Sequence, residues 1–313
     1  MQYQHALPNP SPRILIPWDG QPSLDQVRTL ARHIGGQHAT VFVLPTSPAA
    51  TAECTQDAYP RSGQVGRAAT QHRVEYLDML LSMDVPHDIR GVAARHAVDL
   101  ILVVTRCHAS ETLDPACLAA QLALDSPIPV MVVHVDGDTM AMSRTPFARL
   151  LVPLDSSARA TQALPITSRL ARRLGLPVRL VMVIDPSQIL PPAYAYDPYA
   201  IVEMVAGLTQ GAHWALRQAE QRLAREGIAV SSELLYGPVV SSLEAAIQPG
   251  DIMVMTTHGI DDVSRDRPAS VAAQMVAGVP GPVVTMRGSP PDEVVVRGHG
   301  ESVWHEPLTR PTA

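Results

Sequence analysis

The residues of this 313-residue chain with the best claim to chemistry cluster at the ends of apolar segments in its second half. Asp155 follows the run RLLVPL, and Val183 lies near the end of VRLVMVI. Thr256, His258 and Gly259 close DIMVMTTHG, and Ala269, Ser270 and Val271 open the next helical stretch. Pro153 and Met255 flank the first and third of these spots. In open α/β sheets a ligand binds beyond the carboxyl ends of the strands, where helix N-termini present amide N–H groups without intrahelical partners. Ser270 offers a hydroxyl at such an N-terminus, a seat for a phosphate; its ordinary role is an N-cap worth about 1 kcal/mol. The two readings stand side by side. The intervening loop sets Asp261, Asp262 and Asp266 against Arg265 and Arg267, so its charge neither favours nor disfavours an anion.

An apolar strand ending in Pro-x-Asp, followed later by a strand running into a THG-type loop and a Ser-opened helix, resembles the universal stress protein family. The likeness extends over nearly the whole of two successive copies. It implies that Asp155 contacts an adenosine and that a G-x2-G-x9-G-S/T loop wraps phosphates, for which this chain offers Thr256, Gly259, Ala269 and Ser270. Adenine nucleotide, as ATP with Mg, is the ligand the resemblance implies. Two of the three glycines are replaced. A non-glycine residue held at positive φ loses roughly 1–2 kcal/mol, so if both positions need that backbone the loss reaches about two decades of affinity. The resemblance permits slow ATP hydrolysis at most, because no general base is identifiable around the loop. No catalytic residue and no metal ligand is assigned.

Behind these residues lies an internal repeat. RILIPWD (13–19) matches RLLVPLD (149–155) at an offset of 136, and residues 29–44 match 169–184 at 140. DLILVVT (99–105) matches DIMVMTT (251–257) at 152, and PIPVMVV (127–133) matches PGPVVTM (280–286) at 153. An offset that only grows is what insertions into the loops of a duplicated domain produce. Two domains follow, 1–147 and 148–288, with a flexible tail over 289–313.

Short, continuously apolar strands alternate with helices at 3.6-residue spacing, which predicts two tandem doubly wound parallel-sheet domains, Rossmann-like in plan. In the second copy strands are expected at 150–154, 178–184, 228–236, 252–256 and 282–286. Helices are expected at 157–174, 208–226, 239–247 and 270–277. The first copy shows no convincing second helix, since a Ser, Thr, Pro and Ala-rich stretch fills that place. It also carries Val104, Cys107, Cys117 and Leu118 where the glycines and Ser would stand. Asp19 alone survives there, as a cap for the first helix. A structural or interaction role is expected of this copy.

Composition narrows the remaining classes. The chain contains no lysine and 24 arginines. That removes the P-loop, Schiff-base and kinase chemistries that require an amine, and with them a receiver domain. DSSARA after Asp155's strand is not the G-x-G-x-x-G of a dinucleotide site. A net charge of −6 gives no field that would draw nucleic acid. Three cysteines without CxxC spacing and no long apolar run lead to the expectation of a cytoplasmic protein that does not enter a membrane. A homodimer, or the pairing of the two copies within one chain through their last strands, is the expected assembly. In the alternative reading such pairing is the whole function and neither copy binds a ligand.

His258 beside Gly259 is within reach of a phosphate, though a loop histidine is more often incidental. Tyr194, Tyr196 and Tyr199 fall in a Pro-rich insertion, where a packed loop or subunit contact is the default. Arg169, Arg172 and Arg173 read as a solvated helix face.

Overall fold

The computed structural model describes residues 11–36, 38–58, 73–79, 81–105, 117–135, 147–185, 187, 198–257 and 270–289. Within these residues one ten-stranded sheet runs through the molecule. The first half contributes β1 (Arg13–Trp18), β2 (Thr40–Pro45), β3 (Arg73–Tyr76), β4 (Leu100–Thr105) and β5 (Val130–His134). The second contributes β6 (Arg149–Leu154), β7 (Val178–Ile184), β8 (Val230–Tyr236), β9 (Asp251–Thr257) and β10 (Val283–Arg287). Their order is β3-β2-β1-β4-β5-β10-β9-β6-β7-β8. Each half therefore has the same internal order, and each is parallel throughout. The one antiparallel junction pairs β5 with β10, Met131 lying opposite Val284. The two last strands meet within a single chain.

The eight inner strands are largely buried on both faces, as their apolar runs require, while the edge strands β3 and β8 are only partly covered. Helices α1 (Leu24–Gly35), α2 (Pro48–Ala58), α5 (Ala163–Leu174) and α6 (Pro198–Arg225) cover one face. Helices α3 (Val85–Arg95), α4 (Leu118–Asp125), α7 (Val239–Ala246) and α8 (Val271–Gly278) cover the other. Each apolar layer runs through both halves without a break.

Three helix boundaries depart from expectation, and proline accounts for all three. Residues 160–162 form a 3-10 turn before α5 opens at Ala163, where 157 was expected. Pro165 has no N–H to donate, and the later start places it in the first turn, where none is needed. Helix α6 begins at Pro198, ten residues ahead of the expected start at 208, and Tyr199 lies in its first turn. Helix α2 exists where no convincing helix was expected. It opens at Pro48, with the Ser47 hydroxyl accepting from the Ala50 N–H at 3.1 Å, and it buries Ala50 and Cys54 one turn apart.

Side chains cross the junction in both directions. The last carbonyls of a helix lack intrahelical donors, and in α4 the Thr285 hydroxyl donates to Ala123 O at 2.5 Å and the Thr257 hydroxyl to Leu124 O at 2.7 Å. Val276, related to Ala123 by the same offset of 153, has its carbonyl 2.7 Å from Nε2 of His134 in the first half. Asp125 then accepts from Arg287 at 2.5 Å and Arg90 at 2.7 Å.

Thr285 is fully buried, so Thr285→Val would leave the Ala123 carbonyl without its donor. A loss of about 1–3 kcal/mol is expected. Urea unfolding checks it, and an unchanged midpoint would show that this cross-junction cap is not needed.

Candidate functional site

The candidate site lies where strand order reverses. Chain direction proceeds from β6 outward to β7 and β8, then crosses back to β9 and β10, so β6 and β9 are neighbours with divergent connections. Helix α8 carries the chain from the carboxyl end of β9 back to the start of β10. Its N-terminus therefore sits at the carboxyl edge of the sheet, together with the ends of β6, β7 and β9. This is the switch-point geometry at which open α/β sheets receive ligands.

Alternation along the strands decides which residues face α7 and α8. Leu151, Val181, Val183, Met253 and Met255 all belong to the apolar layer on that side. By the two-residue period, Pro153 shares the face of Leu151, and the chain continues from it to the exposed Asp155. Asp155 Oδ1 accepts the Ser157 N–H at 2.8 Å, a turn that holds one carboxylate oxygen. Ser270 caps α8, its hydroxyl accepting from Ala273 N–H at 3.2 Å, and Val271 is the first helical residue. Pro153, Asp155, Val183, Met255, Ser270 and Val271 are thus gathered at one edge. His258, Gly259 and Ala269 lie outside the described residues, as does the charged loop between them.

Thr256 is different. It lies inside β9 with its side chain on the opposite face, where its hydroxyl donates to the Arg159 carbonyl at 3.2 Å. Among the described residues the one non-glycine at positive φ is Ala97. The left-handed penalty anticipated for a threonine in place of glycine therefore does not arise at Thr256.

Two residues at this edge escaped the sequence reading. Asp185 follows β7 and is buried, its Oδ1 accepting from Ser187 N–H at 3.0 Å and Ser187 Oγ–H at 2.6 Å. The Asp-x-Ser spacing directly after a strand was the available signal. Arg159 lies in the β6–α5 connection, where nothing in its sequence neighbourhood distinguishes it from other arginines.

The first half is built differently at the matching edge. Asp19 does not cap α1; its Oδ1 accepts the Gln21 N–H at 2.9 Å, the counterpart of the Asp155 turn. Ser23 precedes α1 instead, with Gln26 Oε1 reaching back to its N–H at 3.2 Å. Only residues 46–47 join β2 to α2, whereas 185–197 join β7 to α6. The short link holds the first turn of α2 against the tip of β1: Ser47 Oγ donates to Asp19 O at 2.5 Å, and a Cβ built on Gly20 would lie 3.7 Å from Ala50 N. The backbone at Asp19 and Gly20 is thereby tied to α2.

A doubly wound α/β sheet with Asp155 and a Ser-capped helix N-terminus at its switch point belongs to a class of fold that receives ligands at that edge. Comparison with known proteins makes it more particular: the family model of the universal stress protein family matches residues 146–287. The fold is similar to that of a universal stress protein from Archaeoglobus fulgidus, 18% identical, with a TM-score of 0.58 over 88% of this chain and 98% of that one. It is also similar to a functionally unknown protein from Pseudomonas aeruginosa, 13% identical, with a TM-score of 0.52 over 89% of this chain and 92% of that one. No curated protein matches the chain. Among the described residues no helix is long and apolar enough to cross a membrane.

Ser270→Ala removes the cap on α8 and is expected to lower stability by about 1 kcal/mol. Denaturant unfolding measures this, and a loss well above that figure would mean the hydroxyl holds more than the helix.

Proposed function

We propose that the chain is a stress-response binding module whose second half takes an adenine nucleotide, ATP with Mg, in the crevice between the tips of β6 and β9. The observation that carries the reading is the convergence of Asp155 and the Ser270-capped N-terminus of α8 on one edge of the sheet at its point of reversal. An anion is favoured at such a helix end by its free N–H groups and dipole. A carboxylate held at the neighbouring strand tip, with one oxygen engaged by its own turn, retains the other for a donor on the ligand. Pro153, Val183 and Met255 supply the apolar floor on which a flat ring would rest.

The first half serves as a structural mate, since the link at 46–47 ties its corresponding strand tip to α2. Nucleotide occupancy would then be read out through the shared sheet, as a change in what the protein binds. The protein is expected to work in the cytoplasm. A purely structural role is the second reading, favoured by the continuous sheet and the reciprocal helix caps across β5 and β10.

Titration calorimetry with millimolar ATP and Mg separates the two. Binding by the full chain, weakened about tenfold or more by Asp155→Ala and unaffected by Asp19→Ala, is the expected result. Absence of heat from the unaltered protein would leave only the structural role.

A further inference from the structure

Helix α6 is 28 residues long, where α2, its counterpart in the first half, has 11. It packs on β7 and β8 through Ala212, Leu216, Ala219 and Leu223, which are buried and recur at helical spacing. The opposite face is open. Between Pro198 and Leu216 the helix carries one carboxylate, Glu203, and no arginine, and it leaves Tyr199 85%, Val202 67% and Trp214 61% exposed. Large apolar side chains standing free along so weakly charged a helix mark a contact surface.

The order of residues on that face says what it contacts. Counted from Gln210, Gly207 and His213 stand three residues to either side, Ala206 and Trp214 four, and Glu203 and Arg217 seven; all seven are exposed. At 100° per residue they form one stripe opposite the buried one. Its two arms are complementary. One carries a carboxylate and two small residues, the other a guanidinium, an imidazole and an indole. A second copy laid antiparallel on the stripe, with a twofold axis at Gln210, therefore sets Glu203 against Arg217, Ala206 against Trp214 and Gly207 against His213, each pair made twice. Parallel pairing would set Glu203 on Glu203 and Trp214 on Trp214.

Two observations fit this pairing and nothing within the chain. Among the described residues Glu203 and Arg217 make no ion pair and no hydrogen bond. A Cβ built on Gly207 meets nothing within 4 Å, so no internal contact calls for glycine at a helix position that disfavours it. An approaching second helix does call for it.

We infer that this face of α6 is where two copies of the chain associate, as an antiparallel helix pair about a twofold axis through Gln210. The surface is separate from the β5–β10 junction, whose strands already satisfy each other within one chain. It is also independent of nucleotide binding.

Sedimentation equilibrium of the full chain tests the pairing, with Glu203→Arg, Arg217→Glu and the two substitutions combined. Far-UV circular dichroism confirms that each variant is folded. The unaltered chain is expected to dimerise. Either single reversal places like charges together twice per dimer and is expected to weaken association about tenfold or more. The combined reversal restores opposite charges and is expected to recover the dimer. A chain that stays monomeric at the highest concentration reached, a dimer indifferent to both single reversals, or a combined variant no better than the single ones would each overturn the assignment.

Discussion

The antiparallel pairing of β5 with β10 is the constraint on which the architecture depends. A parallel five-stranded sheet buried on both faces has one edge at its last strand, and an open edge of apolar residues invites pairing with another chain. Here the two such edges satisfy each other, and ten strands become one sheet. Because the junction is antiparallel, the halves are turned about an axis between β5 and β10. Their carboxyl edges therefore face opposite ends of the sheet, so the candidate site of the second half and its counterpart in the first do not share a rim.

The same rotation explains the reciprocal caps. It brings the C-terminal carbonyls of α4 beside the side chains of β9 and β10, and those of α8 beside the end of β5. Buried carbonyls at a helix end need donors, and here threonine hydroxyls and a histidine ring stand beside them. The same symmetry need not extend to the ligand edges, which lie far from the axis. There the halves have diverged, one by a link at 46–47 that pulls α2 over β1, the other by a longer connection and a helix running from Pro198 to Arg225.

Strand positions and the repeat were legible because most strands are buried on both faces, which forces short continuous apolar runs that recur in the same order in each half. Helix starts were less legible. Pro48, Pro165 and Pro198 each sit in a first turn, yet a proline in sequence signals a break as readily as a beginning, and only the geometry of the neighbouring strand distinguishes the two. The replacement of a loop glycine by Thr256 suggested strain that the fold does not contain, since β9 extends one residue beyond it. The close packing of Arg159 was not legible because it is made against Gly288, 129 positions away in sequence.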